Sequence, residues 1–112
     1  MHKIEAYIRN SRLAAVQDAL EDLGISGLTV AEVRGRGRQT GETYTYRGSS
    51  YTLDLAPRLK LELVADDADV DAIVASIVKS AATGEIGDGK VVVSPVSRVV
   101  RIRTGEEGAA AL

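Results

Sequence analysis

Twice along this chain a run of strict apolar–polar alternation gives way to a run at helical spacing, and that order constrains the fold more than anything else in the sequence. From His2 to Arg9, Ile4, Ala6 and Ile8 fall on one side and Lys3, Glu5, Tyr7 and Arg9 on the other. From Arg58 onward, Leu59, Leu61 and Leu63 alternate in the same way with Arg58, Lys60 and Glu62. A period of two puts every second side chain on one face, so each run predicts a strand with one buried side. After the first run, Leu13, Val16, Leu20 and Leu23 recur at helical spacing, with Asn10 or Ser11 placed to cap the start and Gly24 to stop the end. After the second, Val70, Ile73, Val74, Ile77, Val78 and Ala81 mark one helical face, with Asp67 and Asp69 near its start and Gly84 beyond its end.

Each helix leads into a further apolar stretch, from about Leu28 to Arg34 after the first and VVVSPV after the second, and a last short strand is expected in VVRIRT. The chain therefore reads strand-helix-strand twice over. Two such units sharing one sheet make an α+β, ferredoxin-like split βαβ domain (βαββαβ), with both helices on one face because each crossover is right-handed. The other face then carries Lys3, Glu5, Lys60 and Glu62, polar and of alternating sign. On a lone subunit that is a solvated sheet face; a closed ring of subunits would turn it inward. With 112 residues the chain is expected to form one domain, 1–112, whose small core favours association.

The residue counts narrow the function. Fourteen Lys and Arg against 16 Asp and Glu leave a net charge of −2, the wrong sign for a surface that grips nucleic acid. No nucleic-acid partner is expected, although Arg34, Arg36 and Arg38 alternate with Gly35 and Gly37 in a short RGG-like run. Those glycines equally suit a close approach of backbone to a ligand. With no Cys, there are no disulfides, thiolate metal sites or thiol nucleophiles, and the single His, at position 2, cannot build a multi-histidine site or a Ser-His-Asp triad. The first residues form no continuous apolar segment and no stretch approaches 18 apolar residues, so a cytoplasmic protein is expected.

Three features could carry chemistry. Residues 36–57 read as a connection too long for a compact domain, and they hold Tyr44, Tyr46 and Tyr51, a cluster suited to a contact surface unless it is merely a disordered hairpin tip. Gly84-Glu85-Ile86-Gly87-Asp88-Gly89-Lys90 has the spacing of a phosphate-binding P-loop as far as the lysine. It is not one, because Val91 stands where a hydroxyl is needed and the loop runs from helix to strand. What survives is the anion affinity of closely spaced glycine amides beside an ammonium, on a loop that also has the ordinary form of a turn. Arg101 and Arg103 are two apart on the expected last strand and so share a face, where paired guanidinium forks suit phosphate oxygens as well as ordinary salt bridges. Together the glycines, the lysine and the two arginines point to a phosphorylated ligand such as a nucleotide. The tail EEGAAAL has little beyond small residues to anchor it.

On four ordered stretches the chain resembles the PII signal-transduction proteins: GLTVAEVRGRGRQ at 27–39, YRGSSY at 46–51, TGEIGDGK at 83–90 and VVRIRTGE at 99–106. The resemblance implies a homotrimer whose sheets face a central cavity, with ATP or ADP in each cleft between subunits. Thr29, Gly35, Gly37 and Arg38 would line one side of the cleft, with Glu62 and Val64 near its base. Gly87, Asp88, Gly89 and Lys90, in a B-loop at about 83–90, would cradle phosphates, and Arg101 and Arg103 would reach in from the neighbouring subunit ahead of a C-terminal segment at about 102–112. A T-loop at about 37–55 would change shape with the nucleotide and dock on a membrane transporter or channel, or on a metabolic or regulatory enzyme. Gln39 would help hold Mg, ATP and 2-oxoglutarate together. Tyr51 matches a residue modified by a nucleotidyltransferase in some branches, and Ser49 one modified by a kinase in another.

Departures from the family pattern bear on the effector. Arg58 stands where many members have a lysine that contacts 2-oxoglutarate, Thr40 replaces a common lysine, Arg36 a common phenylalanine and Glu85 a common basic residue. The expected function is a non-catalytic sensor and adaptor in nitrogen regulation. The alternatives are a specialised paralogue that reads adenylates with a different small-acid effector or none, and a slow ATPase that uses Lys90 and the arginines as electrostatic stabilisers.

Overall fold

The structure, a computed structural model, describes residues 1–36, 42–46, 49–53 and 55–112. Strand β1 spans His2–Ile8, helix α1 Leu13–Asp22, β2 Thr29–Gly35, β3 Glu42–Tyr46, β4 Ser49–Leu53, β5 Ala56–Ala65, helix α2 Asp67–Ala81 and β6 Lys90–Pro95. The four longer-range strands form one sheet in the order β2-β5-β1-β6, each antiparallel to its neighbour, the ferredoxin-like arrangement that the sequence predicts. Among the described residues β3 and β4 pair only with each other, Tyr44 opposite Tyr51, as a separate two-stranded ribbon. The molecule measures 56 × 26 × 21 Å with a radius of gyration of 16.5 Å. A compact chain of this length would have about 13 Å.

The alternation in the sequence sets the register. Ile4 lies opposite Leu63, Ala6 opposite Leu61 and Ile8 opposite Leu59, all buried beneath Val16 and Leu20 of α1 and Ile73, Ile77 and Ala81 of α2. Both helices therefore cover one face. Each fully buried aliphatic side chain contributes about 1.5–3 kcal/mol to that packing. On the open face Glu5 sits directly opposite Glu62, a like-charge pair that would weaken the ladder by itself. Lys3 offsets it, 2.8 Å from Glu5 and 3.6 Å from Glu62, and Lys60 lies 4.0 Å from each. The hydrogen bond from Lys3 holds the Glu5 carboxyl below its usual range, and the same bond raises Lys3.

The ends of the elements differ in part from the sequence reading. Gly24, at φ 80, ends α1 with its amide on the Glu21 carbonyl at 2.8 Å, as its position predicts. Neither Asn10 nor Ser11 caps that helix, because the chain leaves β1 through a 3-10 turn at Asn10–Arg12 and α1 starts behind it with no side-chain cap. Arg12 instead donates twice to the Ser80 carbonyl, at 3.0 and 2.6 Å, and so ties the start of α1 to the end of α2. Asp67 and Asp69 lie in the first turn of α2, where the helix dipole favours a negative charge. Asp67 also accepts from His2 Nδ1 at 2.7 Å and pairs with the Met1 amino group at 2.8 Å. Val78, counted on the buried face, is 54% exposed.

Two readings change. Residues 36–57, read as an over-long connection, hold secondary structure of their own, since β3 and β4 form a ladder within them. The last strand is absent: in place of VVRIRT the chain makes one bridge, between Val100 and Glu107, and a turn closed by the Gly105 amide on the Arg101 carbonyl at 2.8 Å. Local contacts from the tail outcompete sheet pairing there. Arg98 pairs with Glu107, Arg101 with Glu106 at 3.2 Å, and the Gly108 amide donates to the Val99 carbonyl at 3.2 Å ahead of a 3-10 turn at Gly108–Ala111. The tail thus has anchors that its composition does not suggest. Among the described residues no helix is long and apolar enough to cross a membrane.

Candidate functional site

The glycine-rich loop leaves the end of α2 and enters β6 beside β1. Its shape comes from its own aspartate. The Asp88 carboxylate accepts the Thr83 amide at 2.8 Å, the Gly84 amide at 2.9 Å, the Thr83 hydroxyl, and Arg9 Nε at 3.0 Å. These donors, the Thr83 hydroxyl above all, hold the carboxyl far below the usual carboxylate range. The Asp88 side chain is thus spent on donors within the loop and on Arg9. Two guanidiniums grip the loop's carbonyls from the sheet: Arg9 Nη2 donates to Ile86 O at 2.8 Å and Arg58 Nε to Gly87 O at 3.2 Å.

Glycine is required here for two reasons. Gly84, Gly87 and Gly89 have φ of 87, 100 and 98, the left-handed region that side chains disfavour. Gly89 also abuts β1 so closely that a Cβ would lie 1.7 Å from the Tyr7 carbonyl oxygen. Lys90 follows, opposite Tyr7 in the β1–β6 ladder, exposed and with its ammonium unpaired among the described residues.

Beside the loop, the open face of the sheet forms a cavity of about 1110 Å³. Glu5 and Tyr7 of β1 line it, with Arg34, Gly35 and Arg36 at the end of β2, Arg58 and Lys60 of β5, and the whole run from Glu85 to Lys90. Of its three carboxylates, Glu5 and Asp88 are matched to cations, and Glu85 makes no ion pair among the described residues. Arg34, Arg36 and Lys90 make no ion pair among the described residues, so the wall is anion-attracting even though the whole chain is acidic.

The predicted site residues divide into groups. Gly35, Arg58, Gly87, Asp88, Gly89 and Lys90 come together around the cavity. Thr29 and Glu62 are direct partners across β2 and β5 on the same open face, and Val64 pairs with Lys3 further along it, but none of the three lines the cavity. Gly37, Arg38 and Gln39 lie outside the described residues, and Ser49 and Tyr51 are placed only as rungs of the β3–β4 ribbon. Arg101 and Arg103 are not parallel forks on a strand, because that segment is a turn, and neither lines the cavity. Arg101 Nη2 donates to the Leu112 carbonyl at 3.2 Å, while Arg103 is exposed. Among the described residues no three His, Cys, Asp or Glu side chains are grouped to hold a metal. The sequence reading missed Arg9 and Thr83. Arg9 lies 79 positions from Asp88 in the chain, a separation that no local pattern reports.

The family model for nitrogen regulatory protein P-II matches residues 1–106. The chain belongs to the P-II family. It is 57% identical over 108 residues to nitrogen regulatory protein P-II 2 of Methanothermobacter thermautotrophicus, covering 96% of this chain and 94% of that one. It is 54% identical to nitrogen regulatory protein P-II of Nostoc punctiforme and 51% identical to nitrogen regulatory protein P-II 1 of Escherichia coli, in both cases over 112 residues and the full length of both chains. Membership makes this a nitrogen-regulatory signalling protein. In this P-II protein the glycine loop, the arginine-rich end of β2 and the open face of β5 meet in one cavity.

Proposed function

We propose that this protein is a sensor and adaptor that binds ATP or ADP at the loop-lined cavity and reports the nucleotide to a partner protein through the segment between β2 and β5. The observation that carries the reading is Lys90. Its exposed ammonium, unpaired among the described residues, follows two left-handed glycines, at a loop whose Asp88 carboxylate is already satisfied. That arrangement presents positive charge and backbone amides to a polyphosphate, with the lining cations Arg34, Arg36, Arg58, Lys60 and Lys90 outnumbering the carboxylates Glu5, Glu85 and Asp88. Gln39 and the nucleotide's phosphates would share a Mg ion, with 2-oxoglutarate as the second ligand.

A homotrimer is part of the proposal. It would bring Arg101 and Arg103 of a neighbouring copy to a cavity that these residues do not line within their own chain. The partner would be a membrane transporter or channel, or a metabolic or regulatory enzyme, met in the cytoplasm, with Tyr51 or Ser49 open to a nucleotidyltransferase or a kinase. Of the three carboxylates that line the cavity, Glu5 and Asp88 have lowered pKa values and make weak proton acceptors, which favours an adaptor over a slow ATPase and leaves Glu85 as the one candidate base there.

Calorimetric titration with ATP, ADP and AMP, each with and without Mg and 2-oxoglutarate, tests the reading, and light scattering tests the trimer. Saturable ATP and ADP binding with no turnover at stoichiometric protein is expected. A protein that binds neither nucleotide would end the proposal.

A further inference from the structure

We infer that Arg9 is a positioning residue for the phosphate-binding loop: from the end of β1 its guanidinium fixes the loop's peptide planes and neutralises the loop's own aspartate. The inference rests on the proposed nucleotide site. Arg9 spans two features at once, with Nε on Asp88 Oδ1 at 3.0 Å and Nη2 on Ile86 O at 2.8 Å. In a trans peptide the carbonyl and the following N–H point in opposite directions. Holding Ile86 O toward Arg9 therefore turns the Gly87 N–H away from it, and the bond from Arg58 Nε to Gly87 O does the same for the Asp88 N–H. Two successive amides are thus set by guanidiniums that stand just past the end of β1 and on β5, before any ligand arrives.

The second part of the role is electrostatic. A carboxylate among the glycines of an anion-binding loop would repel a phosphate, and here it is turned into the loop against Thr83 and Gly84 with Arg9 as counter-charge. Removing Arg9 leaves Asp88 with its two amide donors and the Thr83 hydroxyl but without its cation, and frees the Ile86–Gly87 peptide to rotate. The loss should fall on ligands whose phosphates lie on the loop, and spare those that carry few.

The test compares ATP and AMP affinities by calorimetry in the native protein, Arg9→Gln, Arg9→Lys and Lys90→Ala, with a thermal melt of each. Arg9→Gln should weaken ATP about tenfold, as for one lost charge-assisted hydrogen bond, and AMP less than about threefold. Arg9→Lys, which keeps the charge but not the two-point fork, should fall between Arg9→Gln and the native protein. Should Arg9→Gln fail to fold, the ATP-to-AMP ratio of Arg9→Lys decides the matter in the same direction. An unchanged ratio in the Arg9 variants, with ATP binding weakened in Lys90→Ala, overturns the role of Arg9 and leaves the nucleotide site standing. If Lys90→Ala also leaves ATP binding unchanged, the loop is not the phosphate site and both readings fall.

Discussion

Gly89 and Tyr7 are in backbone contact: the position that a Cβ on Gly89 would occupy is 1.7 Å from the Tyr7 carbonyl oxygen and 2.7 Å from its carbon. No side-chain rotation relieves such a clash, because the obstacle is the main chain of a central strand. Gly89→Ala should therefore prise the start of β6 from β1 and cost about 3 kcal/mol or more in urea unfolding. Gly84→Ala, with φ 87 but nothing within 4 Å, should cost about 1–2 kcal/mol. Equal losses in the two variants would contradict the contact.

Asp88 makes the loop acid-sensitive. Its native pKa lies below the ordinary 3.8, so on unfolding it binds a proton more readily. The sign follows: its contribution is complete at neutral pH and is lost as the pH falls below about 4 toward the lower native value. The difference in melting temperature between native protein and Asp88→Asn should be largest near pH 7 and narrow in acid. A gap that widens in acid would contradict this sign.

The two sides of α2 and the sheet beneath it separate cleanly in burial. Leu61, fully buried at the centre of β5, should cost about 2–5 kcal/mol when replaced by alanine. Val78→Ala, at an exposed position, should change stability by no more than about 0.5 kcal/mol. Urea titration of both variants checks the contrast.

Arg101 and Arg103 should part company in the free protein. Arg101 holds Glu106 and the Leu112 carbonyl, so Arg101→Ala should speed amide hydrogen exchange through residues 106–112. Arg103→Ala should leave exchange there unchanged. For nucleotide, both replacements should weaken ATP about tenfold to a hundredfold and AMP less, the pattern expected of phosphate contacts across a subunit boundary.

Arg58 tests the effector arm. Its fork is engaged with Gly87 O and, at 2.7 Å, with Pro57 O, whereas a lysine offers one slim ammonium that can turn to a carboxylate. Arg58→Lys should strengthen 2-oxoglutarate binding in the presence of Mg-ATP, measured by calorimetry. Tight binding by the native protein that Arg58→Lys weakens would make the fork itself the ligand.

The fold was legible wherever apolar contrast exists. Ile4, Ala6 and Ile8 against Leu59, Leu61 and Leu63 declare their faces, and the register follows. The ribbon of β3 and β4 was not legible, because ETYTY and SSYTL are polar residues and tyrosines with Leu53 the lone aliphatic, too little to count as an apolar face. VVRIRT looks like a strand by the same richness in β-branched residues that marks VVVSPV. Glu106 and Glu107 decide otherwise, through partners that a local pattern does not weigh. The site's glycines and lysine were visible in the chain, while Arg9, 79 positions away, became visible only when the fold brought it to Asp88.

Gly35 and Ala56 are partners on one rung of the β2–β5 ladder, so residues 36–55 depart from and return to a single point of the sheet. Topologically that stretch is a side branch. Lengthening, shortening or rewriting it shifts no other pair in the register, since both of its ends stay tied to the same rung, and loop closure itself grows only slowly costlier with length. Changes of length within the branch therefore leave the sheet, and the loop that enters it at Lys90, as they are.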